Sequence, residues 1–315
     1  MRRFILKTLL AVAAALAICA VPVAVIPPDN DAYLMAYKMK SALLDTVPSP
    51  RVILVGGSNV CFGVDSRRLS DSLGMPVVDC GLTVQIGLKY MLDDAQAHTR
   101  PGDVVVILAE FNHFNLEEDD GKGTISTGDG KTLAQLLHFS GWENFGLLDA
   151  RQKYNVITNI DAICRGRIVS HLSKISPSSY RMSGFNEFGD YVAHLNFPSS
   201  NGSNVQTRDY ARLNEKLADY MIEKMENMSR QATVVLTPQT LTQSQMRQDS
   251  AIARQLAEYL DARGHGYQVP VQAHALPDSC SYDTPYHMNR SGIDMFTTML
   301  IDELKPVADS LRRRP

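Results

Sequence analysis

Hydrophobic and polar positions along this chain follow two periods. Short aliphatic runs at 52–55, 76–80, 104–108, 232–238 and 267–271 predict five strands, and Val104-Val105-Val106-Ile107-Leu108 is apolar at every position, as in a strand buried on both faces. Between the strands, apolar residues recur at helical spacing. Residues 66–73, 86–98, 210–228, 245–263 and 293–304 read as helices, the last with Met295, Phe296, Met299, Leu300 and Leu304 as an apolar stripe. Alternation of strands with helices predicts an α/β fold with a parallel sheet covered on both faces. Periodicity alone fixes no strand order.

The N-terminus differs in kind. Arg2, Arg3 and Lys7 precede an uncharged apolar run over 8–26, about the length that crosses a hydrocarbon core, and Asp29 and Asp31 follow it. This pattern predicts a signal anchor or transmembrane helix over 1–28, with the N-terminus in the cytoplasm and the body outside. A cleaved signal peptide is the competing reading, with Ala15-Leu16-Ala17 as its cleavage site. Residues 29–50 then form a juxtamembrane linker with a helix over 33–44, broken by Pro48-Ser49-Pro50. The main body spans 51–306, with a helical and loop insertion at about 115–210, and 307–315 is a basic tail.

Composition narrows the function classes. A formal net charge of -3 with 21% charged residues carries no basic excess of the kind nucleic-acid binding needs. Cys61, Cys80, Cys164 and Cys280 form an even set that could bridge in an oxidising compartment, but no Cys-x-x-Cys pair suggests zinc. Asp119 and Asp120, between glycine-rich turns, lack the closing Glu of an EF-hand loop. Trp142, Phe145, Leu147 and Leu148 read as the apolar face of the helical insertion rather than a sugar-stacking platform.

Candidate chemistry concentrates at two distant places. Val52-Ile53-Leu54-Val55 is followed by Gly56-Gly57-Ser58-Asn59, which puts a hydroxyl nucleophile at the carboxyl end of a strand, where ligands bind in open α/β sheets. The same residues also fit a simple turn with Ser58 as a helix N-cap. Far downstream, Tyr282-Asp283-Thr284-Pro285-Tyr286-His287-Met288-Asn289 supplies the carboxylate and imidazole that a Ser-His-Asp arrangement requires. Gly81 closes the second strand. After the third come Glu110 and Asn112, and Asn112 is the expected oxyanion donor because an amide N–H stabilises negative charge that a carboxylate would repel.

Together these blocks resemble the SGNH/GDSL hydrolase superfamily over roughly 51–306. Two departures stand out: Gly-Gly-Ser-Asn replaces Gly-Asp-Ser, and Asp283 precedes His287 by four residues where three is usual, with Pro285 as a candidate bulge. The resemblance implies a three-layer α/β/α, flavodoxin-like sheet with strand order 2-1-3-4-5. It implies Ser58, Asp283 and His287 as the catalytic triad, and an oxyanion hole from Ser58, Gly81 and Asn112. Neither metal nor organic cofactor is implied. The expected function is a serine-dependent acyl ester hydrolase, similar to carbohydrate O-acetyl esterases, acting on an acylated glycan or other ester. It would sit outside the cytoplasmic membrane as a single-pass protein of the cell envelope. Two alternatives stay open: an O-acyltransferase of an envelope glycan, and a non-catalytic module that binds glycan or protein.

Overall fold

The computed structural model describes residues 1–27, 29–116, 125–173, 180–199, 205–207 and 212–313, with the side chains at 15, 16, 19 and 170–173 excepted. Four parallel strands, β1 (Val52–Gly56), β2 (Val77–Asp79), β3 (Val104–Leu108) and β4 (Thr233–Leu236), form a sheet in the order β2-β1-β3-β4. In-register pairs such as Val52↔Val104 and Gly56↔Leu108 bring the ends of β1 and β3 level. Strand side chains alternate between faces, so apolar runs feed two separate cores. Ile53, Val55, Val78, Val105 and Ile107 join one, while Val52, Leu54, Val77, Val104, Val106 and Leu108 join the other.

Helices cover both faces. The first core is closed by α2 (Ala36–Thr46), α5 (Leu88–His98), α6 (Gly130–Ser140), α9 (Glu215–Ser229) and α10 (Gln243–Asp261). The second is closed by α4 (Ser66–Leu73) and α11 (Arg290–Arg312). Buried Leu, Ile and Phe side chains each contribute about 1.5–3 kcal/mol, and Leu69, Leu73, Phe296 and Leu300 hold α4 and α11 to the sheet and to each other.

Two expectations are corrected. Residues 267–271 form no strand: Gln268 N donates to Leu236 O (2.9 Å), but Pro270 has no N–H to extend a ladder. A short parallel pair, β5 (Leu241–Thr242) and β6 (Ala275–Leu276), stands apart from the main sheet instead. The segment 307–312 is no tail, because α11 runs through Pro306 to Arg312. Its apolar stripe continues through Ala308, and Arg312 Nη2 donates to Leu73 O (2.9 Å).

The insertion carries α6, α7 (Ala150–Thr158) and α8 (Asp161–Ser173). Leu148 is buried, Phe145 and Leu147 pack on the first core, and Trp142 is exposed. Asp119 and Asp120 lie outside the described residues. At the N-terminus, α1 (Arg2–Val25) is one continuous helix, and Phe4, Leu9, Leu10, Ile18 and Val21 all face outward. Among the described residues no helix is long and apolar enough to cross a membrane; the side chains at 15, 16 and 19 of α1 are not among them.

Candidate active site

The turn after β1 is built by close approach of neighbouring backbone and side chains. Neither Gly56 nor Gly57 has a positive φ. A Cβ on Gly56 would sit 2.9 Å from Leu108 O, at the end of β3, and one on Gly57 would collide with Glu110 Oε1. Glycine is therefore needed here for clearance rather than for a positive φ. Ser58 begins the short helix α3 (Ser58–Cys61), where N–H groups have no intrahelical partners. Asn59 Nδ2 donates to Leu108 O (3.1 Å), tying this helix to β3. The N-cap reading of Ser58 is corrected: Gly57 is the N-cap, no side chain caps this helix, and Ser58 is its first residue, at the carboxyl edge of the sheet.

The downstream loop reaches the same edge. Ser281 and Met288 form an antiparallel bridge, Tyr282 N donates to His287 O (2.7 Å), and Ser281 Oγ donates to Thr284 O (2.9 Å). This closed loop accommodates the four-residue spacing, and Asp283 Oδ1 lies 2.8 Å from His287 Nδ1. An ionised carboxylate only accepts, so Nδ1 carries the proton and Nε2 is the nitrogen left to act as a base. Burial alone would raise the Asp283 carboxyl, but the hydrogen bond and charge of His287, with the Tyr180 phenol, hold it below its ordinary value.

Phe62 connects the two halves of the site. It lies one helical turn after Ser58, to whose carbonyl its own N–H donates (3.0 Å), and its ring stacks on the His287 imidazole at 4.0 Å and 12°. Met288 N donates to Phe62 O (3.2 Å), fixing the residue after the histidine to the same turn. Asp283 and His287 are therefore held, through Phe62, beside the short helix that Ser58 opens, and no hydrogen bond joins the Ser58 hydroxyl to His287 among the described residues.

The expected oxyanion donors are differently placed. Gly81 packs directly against the Ser58 turn, since a Cβ there would meet Gly57 O and Val60 Cβ, each at 2.6 Å. Its N–H, however, donates to Asp79 Oδ1 (2.7 Å) and so does not point freely into the crevice. Burial pushes the Asp79 carboxyl up to about 8, against the opposing pull of Lys40. Asn112 is buried in the 3-10 turn Phe111–Phe114, and its Nδ2 lies 3.4 Å from Glu110 Oε2. The Glu110 carboxylate, not preferred from sequence as the oxyanion donor, is the group that reaches Gly57.

Further participants come from the insertion. Tyr180 donates its phenol to Asp283 Oδ2, and its oxygen lies 3.5 Å from His287 Nδ1. His194 is buried, packs 5.0 Å from the Phe62 ring, and bonds through Nε2 to Met288 O (2.9 Å). Burial lowers its pKa. Nothing local in sequence marks Tyr180 or His194, because their partners lie about a hundred residues away. Cys61, Cys80 and Cys280 are unbridged, and burial raises each thiol. Among the described residues no three His, Cys, Asp or Glu side chains converge as metal ligands. The chain matches no known family model, curated protein or solved structure at significance.

Proposed function

We propose that this protein is a serine-dependent acyl ester hydrolase of the SGNH/GDSL type, acting on O-acyl groups of an envelope glycan outside the cytoplasmic membrane and tethered by α1. The observation that carries this reading is the Asp283–His287 hydrogen bond held by Phe62 against the turn that begins with Ser58. In the proposed reaction Ser58 Oγ attacks the acyl carbonyl while His287 Nε2 takes its proton. His287 then returns that proton to the leaving alcohol, and the Ser58 ester is released by water activated at the same nitrogen. Asp283 holds the imidazole in the required tautomer and stabilises its charged form. If a sugar hydroxyl replaces water in the second step, the same residues perform O-acyl transfer.

The outward apolar surface of α1, with Arg2, Arg3 and Lys7 at its start, supports the tether. A second reading, a glycan- or protein-binding module without catalysis, is favoured by one specific feature. The Gly81 N–H and the Asn112 amide are both directed at carboxylates rather than at an oxyanion. Aryl acetate hydrolysis and labelling by a fluorophosphonate probe separate the readings. Both should be present in the native protein and lost in Ser58→Ala, with hydrolysis also lost in His287→Ala. Absence of labelling and turnover in the native protein, with glycan acetylation unchanged on deletion of the gene, refutes the enzyme. A rise in glycan acetyl content on deletion identifies a hydrolase, and a fall identifies a transferase.

A further inference from the structure

We infer that the corner between α7 and α8 is immersed in the lipid bilayer beside α1, so that the body docks on the membrane through a second, non-spanning apolar surface. The partner is lipid because α1 is read as the anchor, and the inference rests on that part of the proposed function. Helix α8 packs along α1. Arg167 Nη1 donates to Ile26 O (2.8 Å), just past the end of α1, whereas Cys164 Sγ approaches Ile18 O (3.9 Å). As residue numbers fall along α8, its contacts therefore move down α1 towards the N-terminus. From Ile26 to Ile18 is about 12 Å at about 1.5 Å per residue. Ile160 and Ile157 lie beyond Cys164 in the same direction, deeper than the point where α1 leaves the hydrocarbon.

The side chains of this corner suit that depth. Tyr154 and Ile157 on α7 and Ile160 at the corner are all exposed, a concentration of large apolar groups unusual on a surface facing water, and exposed Ile168 and Val169 continue the apolar surface along α8 towards the level of Ile26. Its polar side chains bond back to their own helices: Thr158 Oγ1 donates to Tyr154 O and Asn159 Nδ2 to Asn155 O, each at 2.9 Å. Asp161 and Arg165 pair with each other at 2.9 Å. Bonding of these hydroxyl and amide groups within the corner reduces the cost of leaving water, pairing offsets part of the cost of the Asp161 and Arg165 charges, and the isoleucines gain.

The test uses the full chain in nanodiscs made with brominated or unbrominated phosphatidylcholine, in a Trp142→Phe background that removes the single native tryptophan. One new tryptophan is introduced at a time: Ile160→Trp at the corner, Val21→Trp on α1, and Met295→Trp on the exposed side of α11 as an aqueous control. Expected is at least twofold quenching by brominated lipid at Ile160→Trp and Val21→Trp, with none at Met295→Trp. Quenching at Val21→Trp without quenching at Ile160→Trp overturns the inference and leaves the anchor standing. No quenching at either position overturns the anchor and the inference together. Ile157→Trp, also at an exposed site, replaces Ile160→Trp if that variant does not fold.

Discussion

Tyr180→Phe isolates one interaction at the site. The substitution keeps the ring that packs 5.1 Å from Phe62 and 5.4 Å from Tyr191, so packing is retained. It removes the hydroxyl that donates to Asp283 Oδ2 and approaches His287 Nδ1. A hydrogen bond to a charged group contributes about 1.5–3 kcal/mol net. The Asp283 side chain is 33% exposed, so water can replace the phenol in part and the low end applies. About 1.5 kcal/mol corresponds to roughly a tenfold fall in kcat/KM if Asp283 orients His287 in the transition state. The assay is aryl acetate hydrolysis by native, Tyr180→Phe, Asp283→Asn and Ser58→Ala proteins, alongside thermal melting. Expected are a loss of about tenfold for Tyr180→Phe, a larger loss for Asp283→Asn, and a melting temperature for Tyr180→Phe close to native. Activity within twofold of native in Tyr180→Phe, together with a clear loss in Asp283→Asn, would show that the Tyr180 bond does not set carboxylate geometry. Full activity in Asp283→Asn would remove the triad.

Two other substitutions read different parts of the site. Gly81→Ala places a methyl 2.6 Å from Gly57 O and Val60 Cβ, where backbone must shift. It should cost about 1–3 kcal/mol in urea unfolding and reduce hydrolysis, and native-like stability would contradict the close approach. The Asp283 carboxyl is held below its ordinary value, so its stabilising contribution is fully present above the unfolded value of about 3.9 and fades as pH falls through the folded value. Asp283→Asn should lower the melting temperature slightly at neutral pH. The gap to native should close under acid, and a gap that widens on acidification has the wrong sign.

The sheet was legible because strands buried on both faces need unbroken apolar runs, and the four found at 52–56, 77–79, 104–108 and 233–236 fall within or beside such runs. Helix 66–73 was also found at its full length: Asp65 caps it by accepting from Arg68 N (3.0 Å), and Gly74 ends it at φ 61°. The false fifth strand shows the limit of the method, since a Tyr-Gln-Val-Pro-Val run carries β propensity but cannot complete a ladder past its proline. At the candidate site, the pairing of Asp283 with His287 was legible because both sit in one short loop. The directions of Gly81 N–H and the Asn112 amide were not, because each is set by a neighbouring carboxylate whose rotamer depends on tertiary packing. Tyr180 was hidden for a related reason: its partner is supplied by chain folding rather than by spacing.

The segment 29–50, expected as a linker, is part of the body's architecture, and this changes how the chain can be cut. Lys40 is buried on α2, where Nζ donates to Asp79 O (2.9 Å) and Gly189 O (2.5 Å) and lies 3.5 Å from Asp79 Oδ1, the atom that also holds Gly81 N–H. Tyr33 donates to Leu82 O (2.7 Å) and packs on Phe185 and Tyr191 of the insertion. Arg51, fully buried, donates to Leu44 O (2.5 Å) and Val47 O (2.9 Å) near the end of α2. Removing this segment leaves Asp79 buried without its cation and takes away carbonyl acceptors of the Arg51 guanidinium. Leaving such buried hydrogen-bonding groups without partners costs about 1–3 kcal/mol for each group. A chain beginning at Asp29 should therefore unfold in urea with a cooperative transition, while one beginning at Arg51 should lose at least that much stability or fail to fold. In the first chain Lys40→Met should reproduce part of the loss, because it removes the donor to Asp79 O and Gly189 O while leaving Tyr33 and the α2 carbonyls in place. Equal urea midpoints for the two chain lengths would refute the reasoning and return 29–50 to the status of a tether.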